Sequence, residues 1–271
     1  MDLVAAALLG VVQGLTEFLP VSSSGHLILA REFFGWDAGR FGLAFDVACH
    51  VGTLLAVVAY FRGEILRLAV AAPGALAGRD GSWERLGRLI LLGTVPVVIV
   101  GLLFADAIEN TLRSPAVVAV ALAVGGVGLF AGEWFGANRR GDETIGYGEA
   151  FAIGVAQASA LVPGISRSGA TLTVAMLLGL RREAAARFVF LLSLPAVLAA
   201  AGKETLEFSK AGVEGLPVTM FLVGLVVSGV VGYVTVKYFI RYLAGHSLHG
   251  FAAYRLVLAG VTLAWLAVHG G

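Results

Sequence analysis

Long apolar stretches separated by short polar segments make up most of this chain. A helix needs about 20 mostly apolar residues to cross the hydrocarbon core of a bilayer. Six windows reach that length, at 41–61, 89–105, 115–133, 184–201, 217–236 and 250–268. Four shorter runs, broken by Gly, Pro or Ser, lie at 3–21, 26–34, 149–162 and 170–180. The pattern predicts an all-α integral membrane protein with six full transmembrane helices and two re-entrant helix-break-helix hairpins.

Composition supports a membrane protein and argues against a soluble domain, a nucleic-acid-binding protein and a protein held together by disulfides or zinc. Hydrophobic residues make up 58% of the chain and charged residues 14%, and the mean hydropathy is +0.89; soluble domains carry about 25% charged residues. The net charge of +1 gives no indication of nucleic acid binding. Cys49 is the single cysteine, which excludes an internal disulfide or a cysteine-based zinc site. Met1 and Asp2 lack the basic region of a signal peptide, so we expect the first residues to remain part of the working protein.

The two halves of the chain are related by an internal repeat. The shift that places Gln13 on Gln157 also pairs Gly10 with Gly154, Ser22 with Ser166, Ser24 with Ser168, Gly25 with Gly169 and Gly35 with Gly179. Each half predicts a short helix, a Ser-rich break, a second short helix closed by Gly, and three full spans. Because three is odd, the halves face opposite ways, as in inverted-topology repeats. We expect one membrane domain, with repeat one at 1–133, a cytoplasmic linker at 134–148 and repeat two at 149–271.

The distribution of basic residues predicts the orientation. Twelve of the 19 Lys and Arg fall on one side of this arrangement, including those of the loop 62–88 and of the linker. Five fall on the other side: Arg31, Arg40, Arg113, Lys203 and Lys210. By the positive-inside rule the first side is cytoplasmic. The N-terminal hairpin then enters from outside the cell.

The first break has a polar sequence suited to binding an anion. It runs Gln13-Gly-Leu-Thr-Glu17-Phe-Leu-Pro20-Val-Ser22-Ser23-Ser24-Gly25-His26. Gln13 and Glu17 are four residues apart and share one helix face. Pro20 ends that helix at or before the preceding residue, and Ser22 or Ser23 caps the next one. The free N–H groups of the new helix, flanked by hydroxyls, then form an anion site.

The second break repeats this arrangement with a cation added. It runs Pro163-Gly-Ile-Ser166-Arg167-Ser168-Gly-Ala-Thr171 and places Arg167 where the first break has Ser23. The arginine side chain forks onto phosphate oxygens. His26 projects from the first turn of the first capped helix. Any one of these groups is usually structural, but ionisable groups in membrane segments are costly, and Glu17, His26 and Arg167 all fall on the matched breaks. We therefore expect both helix N-termini to face one functional pocket.

These two motifs resemble the signature of the bacterial undecaprenyl-diphosphate phosphatase family, which is also known from bacitracin resistance. The resemblance covers the whole chain in length and span pattern. It implies hydrolysis of undecaprenyl diphosphate to undecaprenyl phosphate and inorganic phosphate at the outer face of the bacterial plasma membrane, with Mg²⁺ or Ca²⁺. It also implies recycling of the lipid carrier for peptidoglycan synthesis. Many members carry Glu where this chain has Gln13, so the metal has one carboxylate ligand fewer here.

The resemblance and the residue chemistry together assign provisional roles. Glu17, Ser23, His26 and Arg167 are the expected catalytic residues. Ser23 is the favoured nucleophile, with Glu17 as base or metal ligand and His26 as acid, base or orienting group; His26 or water as the nucleophile stays open. The expected phosphate or supporting contacts are Gln13, Ser22, Ser24, Gln157, Ser166, Ser168 and Thr171.

Some polar and small residues elsewhere have two interpretations. Asp46 and His50 share a helix face and either line the pocket or make helix–helix hydrogen bonds. Arg255, within the last span, is expected to be a structural partner for a carbonyl or carboxylate. The small-residue run 125–128 packs helices within one subunit or between two, which leaves a homodimer open.

Two other functions compete with the phosphatase. A transporter or lipid flippase fits the inverted repeat, but the cluster of Glu, His, Ser and Arg exceeds what anion binding requires. A phosphatidate-phosphatase type of enzyme needs a second His shortly after the Ser-Arg pair. Ser166 and Arg167 are followed by no His in 168–174, which disfavours that class.

Overall fold

A computed structural model describes residues 2–36, 41–211 and 218–269 of the protein, without the side chains at 43, 105, 106, 109, 110 and 203–211. The described part is helical, with one short 3-10 helix at Asp142–Thr144 and one isolated bridge between Arg140 and Leu180. The α-helices are α1 Asp2–Thr16, α2 Ser23–Phe34, α3 Leu43–Tyr60, α4 Arg62–Leu76, α5 Ser82–Thr111, α6 Pro115–Phe135, α7 Tyr147–Ser159, α8 Arg167–Leu177, α9 Arg182–Ala211, α10 Val218–Leu243 and α11 His249–His269.

The long helices coincide with the predicted spans. In the described chain, α5, α6, α9, α10 and α11 are long and apolar enough to cross a membrane, and α3 with α4 adds a sixth span if that bent pair is counted as one. The protein is therefore an all-α, multi-pass integral membrane protein, as predicted. The four shorter apolar runs form α1, α2, α7 and α8. How these short helices sit in a bilayer stays a prediction.

The segment 62–88 is not the loop that the sequence analysis assumed. It contains α4 and the first turns of α5, and α4 bends away from α3 by 83°. Ala71, Gly74 and Ala75 are buried in α4, and α4 packs against α5. A stripe of small residues packed on a neighbouring helix thus stabilises a helix in a segment whose charges favoured a loop.

The two breaks have the same local geometry at the positions that the sequence repeat pairs. Ser22 precedes α2 with φ 76°, and its Oγ accepts the N–H of Gly25 at 3.3 Å. Ser166 precedes α8 with φ 71°, and its Oγ accepts the N–H of Gly169 at 3.1 Å. A positive φ is uncommon outside glycine, so the same unusual conformation at both serines supports the repeat.

The first helix of each half packs on a long helix of the other half. An added Cβ at Gly10 in α1 would lie 3.0 Å from the carbonyl oxygen of Gly224 in α10, and one at Gly154 in α7 would lie 2.2 Å from that of Gly93 in α5. Glycine at these paired positions lets the backbones approach closely. The halves are thereby intertwined and the breaks lie side by side, where the N–H of Gly164 donates to Ser22 Oγ at 3.1 Å.

Several expectations about topology stay predictions. The repeat boundaries and the opposite orientations of the halves in a membrane are untested. Arg40, counted among the outer cations, lies outside the described residues, as do the side chains of Lys203 and Lys210. An added Cβ at Gly126 would lie 3.1 Å from the side chain of Leu256 in the same chain, so this residue packs helices within a subunit, and the homodimer stays a prediction.

Candidate active site

Glu17 lies at the point where the two breaks meet. One of its carboxylate oxygens, Oε2, accepts the hydroxyl of Ser23 at 2.6 Å and the amide of Gln13 at 2.8 Å. The other oxygen, Oε1, accepts the guanidinium of Arg167 from the second break. The ring Nε2 of His50, on α3, lies 3.5 Å from Oε2. The carboxylate of the first break therefore binds a hydroxyl of its own break and the guanidinium of the second break.

A cavity of about 280 Å³ opens in front of this group. Polar residues of both breaks, of α3, of α7 and of the turn between α5 and α6 form one part of its wall: Glu17, Ser22, Ser23, Ser24, Asp46, His50, Arg113, Gln157, Ser166 and Arg167. The apolar part of the wall includes Val97, Leu161, Pro163, Ala196, Val197 and Ala200. Most of the predicted site residues thus line one cavity whose wall is polar in one part and apolar in another.

Gln13 and Gln157, the pair that first indicated the repeat, are buried beside Glu17 and in the cavity wall. Gln157 is 1% exposed, and neither atom of its amide has a hydrogen-bond partner among the described residues. The Oε1 atom of Gln13 also has no described partner. Buried polar groups are normally satisfied, so both side chains are available to a ligand, an ion or ordered water.

His26 does not join this group. Its Nδ1 lies 2.7 Å from the carbonyl oxygen of Ser22, and its Nε2 lies 2.7 Å from the hydroxyl of Tyr254. The ring stacks on Tyr254 at 5.6 Å between centroids. Because a carbonyl only accepts, Nδ1 carries the proton and Nε2 accepts from the tyrosine. Both ring nitrogens are thus engaged, and His26 is not among the described residues that line the cavity.

Of three further predicted hydroxyl contacts, one lines the cavity and two bind backbone carbonyls. Ser24 lines the cavity, with its Oγ 3.4 Å from that of Ser22. Ser168 donates to the carbonyl oxygen of Leu19 at 3.0 Å, across the breaks. Thr171 donates to the carbonyl oxygen of Arg167 within α8 at 2.7 Å. Thr171 therefore supports the helix that carries Arg167.

Arg113 is a cavity residue that sequence reasoning missed. Its guanidinium donates to the carboxylate of Asp46 at 3.0 Å, and Arg31 forks onto the same carboxylate at 2.6 and 3.0 Å. One carboxylate thus faces two cations, which leaves a net positive charge beside the cavity. The signal for Arg113 was weak, since it is a lone basic residue before Ser114, the N-cap of α6. Asp46 and His50 line the cavity, which was one of their two interpretations.

The donor set fits a hard divalent cation only with help from a ligand. Among the described residues no three His, Cys, Asp or Glu are grouped closely enough to hold a metal. Glu17 and the unpartnered amide oxygens of Gln13 and Gln157 are hard oxygen donors. Mg²⁺ is commonly held by one or two carboxylates together with substrate phosphates and water. The residues therefore fit an ion that binds with a phosphate substrate.

Comparison with known proteins shows the family. The family model of the bacitracin resistance protein BacA matches residues 6–261 of this chain. The chain belongs to the BacA family. The structure brings residues of both sequence motifs to one cavity, and the comparison confirms the resemblance that these motifs indicated.

Relatives within the BacA family match nearly end to end. The undecaprenyl-diphosphatase of Rubrobacter xylanophilus is 50% identical over 272 residues, covering 98% of this chain and 99% of that protein. The undecaprenyl-diphosphatase of Thioalkalivibrio sulfidiphilus is 46% identical, covering 97% and 98%. That of Alcanivorax borkumensis is 44% identical, covering 98% and 100%. The chain is thus similar to these enzymes over nearly its full length.

Proposed function

We infer that this protein is an undecaprenyl-diphosphatase, which hydrolyses undecaprenyl diphosphate to undecaprenyl phosphate and inorganic phosphate. This reaction recycles the lipid carrier for peptidoglycan synthesis and confers bacitracin resistance. The observation that carries the mechanism is the 2.6 Å hydrogen bond from Ser23 to Glu17, beside the Arg167 guanidinium that the second break supplies. A hydroxyl, a base and a phosphate-binding cation are then in one cavity.

The first chemical step uses Ser23 as the nucleophile. Its Oγ attacks the terminal phosphorus, its proton passes to Glu17, and the bond from that phosphorus to the bridging oxygen breaks. Undecaprenyl phosphate leaves and a phosphoserine forms. Glu17 gives this proton to the departing undecaprenyl phosphate and is a free carboxylate again. Water then attacks the phosphoserine phosphorus, and Glu17 accepts a proton from that water. Glu17 passes this proton to Ser23 Oγ as the bond between phosphorus and Oγ breaks, which restores the serine hydroxyl and releases phosphate.

Arg167 links substrate binding to the availability of the base. Before substrate enters, its guanidinium occupies one oxygen of Glu17. A phosphate is a better bidentate partner for arginine than a single carboxylate oxygen, so Arg167 turns to the substrate. Glu17 then keeps its contact with Ser23 and loses a neighbouring positive charge, which strengthens it as a base.

The remaining charge of the diphosphate is balanced by groups around the cavity. The N-termini of α2 and α8 offer free N–H groups and the positive ends of helix dipoles. Arg113 adds a second cation at the cavity wall. A divalent cation, Mg²⁺ or Ca²⁺, would neutralise phosphate oxygens and polarise the phosphoryl group. The amide oxygens of Gln13 and Gln157 would hold it together with the substrate phosphates, which leaves Glu17 free to act as the base.

His26 serves as an orienting group in this scheme. Its Nδ1 donates to the carbonyl oxygen of Ser22 and its Nε2 accepts from Tyr254, so the one free lone pair of the ring is already engaged. The bond to the carbonyl of Ser22 instead fixes the residue that immediately precedes Ser23. This arrangement favours a phosphoserine over a phosphohistidine.

The apolar side of the cavity suits the prenyl chain. Val97, Leu161 and Val197 line the same cavity as the polar residues, and the first isoprene units gain from leaving water against them. By the predicted orientation the first hairpin enters from outside, so the cavity opens to the outer face of the bacterial plasma membrane. The diphosphate then stays at the interface while its tail remains in the lipid.

The test is phosphate release from undecaprenyl diphosphate by detergent-solubilised protein, with Mg²⁺ and with EDTA. We expect metal-dependent release, and Glu17→Gln should lower it by about 10²- to 10⁴-fold because the general base is lost. Glu149→Gln is the matched control, since Glu149 pairs with Arg140 near the linker, and it should retain activity within about twofold.

Each alternative outcome assigns the cavity differently. Release that persists in Glu17→Gln would remove Glu17 from catalysis. A folded wild type that releases no phosphate, yet binds the lipid diphosphate, would assign the cavity to lipid transport instead.

A further inference from the structure

Arg255 in α11 is fully buried and binds only backbone oxygens. Its exposed fraction is 0%. Its guanidinium donates to the carbonyl of Pro20 in the first break at 3.1 Å, and to those of Gly164 and Ile165 in the second break at 2.8 Å each. It also donates to two α6 carbonyls, at 3.2 and 3.3 Å. Among the described residues no carboxylate forms an ion pair with it.

The surroundings leave room for a guanidinium and little else. An added Cβ at Gly125 in α6 would lie 1.9 Å from Nη2 of Arg255, and one at Gly169 in α8 would lie 2.7 Å from Nη1. Burying a charge without a counter-ion is expensive unless its donors are well satisfied. Five carbonyl acceptors around a planar fork meet that requirement, and the shorter, single-point ammonium of lysine does not.

Arg255 connects the two breaks at a point where the repeat predicts a backbone hydrogen bond that cannot form. Gly164 donates its N–H to Ser22 Oγ. The repeat pairs Gly164 with Pro20, which has no N–H and cannot donate the equivalent bond to Ser166. Arg255 instead connects the carbonyls of Pro20 and Gly164 through one rigid group. The first break is thus attached to the second by a side chain where its own backbone cannot make the bond.

We propose that Arg255 is the positioning residue that sets the two breaks against each other, so that Ser23 and Glu17 face Arg167. This inference rests on the proposed function, because it concerns the alignment of the same groups. Pro20 lies three residues from both Glu17 and Ser23 along the chain, and Ile165 lies two residues before Arg167. A displacement of one break by about 1 Å is enough to lower a rate about 100-fold.

The first test compares Arg255→Lys with Arg182→Lys in purified, folded protein. Arg182 is a partly buried arginine that binds Glu133 on α6, so its replacement reports on packing alone. We expect Arg255→Lys to lower kcat by about 10- to 100-fold with KM changed less than about threefold. Arg182→Lys should lower the melting temperature and leave kcat of the folded fraction within about twofold. A normal kcat in folded Arg255→Lys would overturn the proposal.

The second test measures the positions of the helices without any turnover. Spin labels at Phe34→Cys and Leu177→Cys mark the exposed ends of α2 and α8, in a background where buried Cys49 is replaced by alanine. Arg255→Lys should shift or broaden the distance distribution between the labels, and Arg182→Lys should not. An unchanged distribution in Arg255→Lys would contradict the positioning role.

The two readouts separate this inference from the proposed function. If the wild type releases no phosphate but Arg255→Lys still changes the distance, the phosphatase assignment fails and the positioning role stands. If Arg255→Lys does not accumulate as folded protein, Ser168→Ala takes its place, because Ser168 also joins the two breaks through the carbonyl of Leu19. A distance and a kcat unchanged in that variant would overturn the alignment argument.

Discussion

The first and second breaks share a backbone and differ in chemistry. Both place a serine at positive φ before a helix and cap that helix through the same side-chain bond. The next residue is Ser23 in the first break and Arg167 in the second. Only the first break follows a carboxylate, Glu17, while the second supplies the cation that binds this carboxylate.

The difference shows how a duplicated anion site becomes an asymmetric one. Two equal helix N-termini attract phosphate and provide no nucleophile or base. One substitution adds charge to one copy, and a carboxylate beside a hydroxyl adds reactivity to the other. The fold therefore provides phosphate binding twice, and the chemistry depends on the few positions at which the copies differ.

The largest expected effect is a loss of kcat when the first break, which carries Ser23 and Glu17, loses its hydroxyl. Ser23→Ala should lower kcat by about 1000-fold, because the hydroxyl that bonds Glu17 is the nucleophile. The measurement is phosphate release under saturating lipid. Ser159→Ala is the control, since that exposed hydroxyl bonds only a carbonyl of its own helix, and its activity should stay within about twofold. Near-normal turnover in Ser23→Ala would move the nucleophile to water or His26.

A second, smaller effect is a loss of kcat/KM when Arg167 of the second break is changed. Arg167→Lys keeps the charge and loses the planar fork, so we expect kcat/KM to fall about 100-fold. Kinetics at several lipid concentrations measure this change. Arg88→Lys on the predicted cytoplasmic side should stay near wild type. If Arg167→Lys also stays near wild type, the second break contributes a positive charge, and the planar fork of the guanidinium is not needed.

The smallest effect compares the two capping serines. Ser22→Gly and Ser166→Gly both remove a cap and both relieve the positive φ. Only Ser22 also accepts the N–H of Gly164, and a buried donor left unsatisfied costs about 1–3 kcal/mol. Ser22→Gly should therefore lower the melting temperature more than Ser166→Gly. Equal shifts would indicate that the bond between the breaks contributes nothing to stability.

Local signals in the chain were sufficient for its elements and for most of the site. Apolar length predicted the spans, and Pro20 with the paired serines predicted both breaks and their caps, because these depend on nearby residues. The motifs named Glu17, Ser23 and Arg167, and the structure brings them together. The short helix α4 was missed, since it depends on small residues packing on α5.

Three features were decided by tertiary structure alone. Arg113 reaches the cavity because the turn between α5 and α6 places it against Asp46 of α3, and nothing in its neighbouring sequence indicates that contact. His26 turns to Tyr254 on α11 although its motif position equally allowed the cavity. The five carbonyl acceptors of Arg255 come from three separate segments, which are the first break, the second break and α6. These segments meet only after the halves intertwine. The sequence by itself thus determined the helices, the repeat and the reactive groups, because these arise from residues close along the chain. Which groups face one another was decided by the packing of distant helices, because the site combines residues of both breaks and forms only when the two breaks lie against each other.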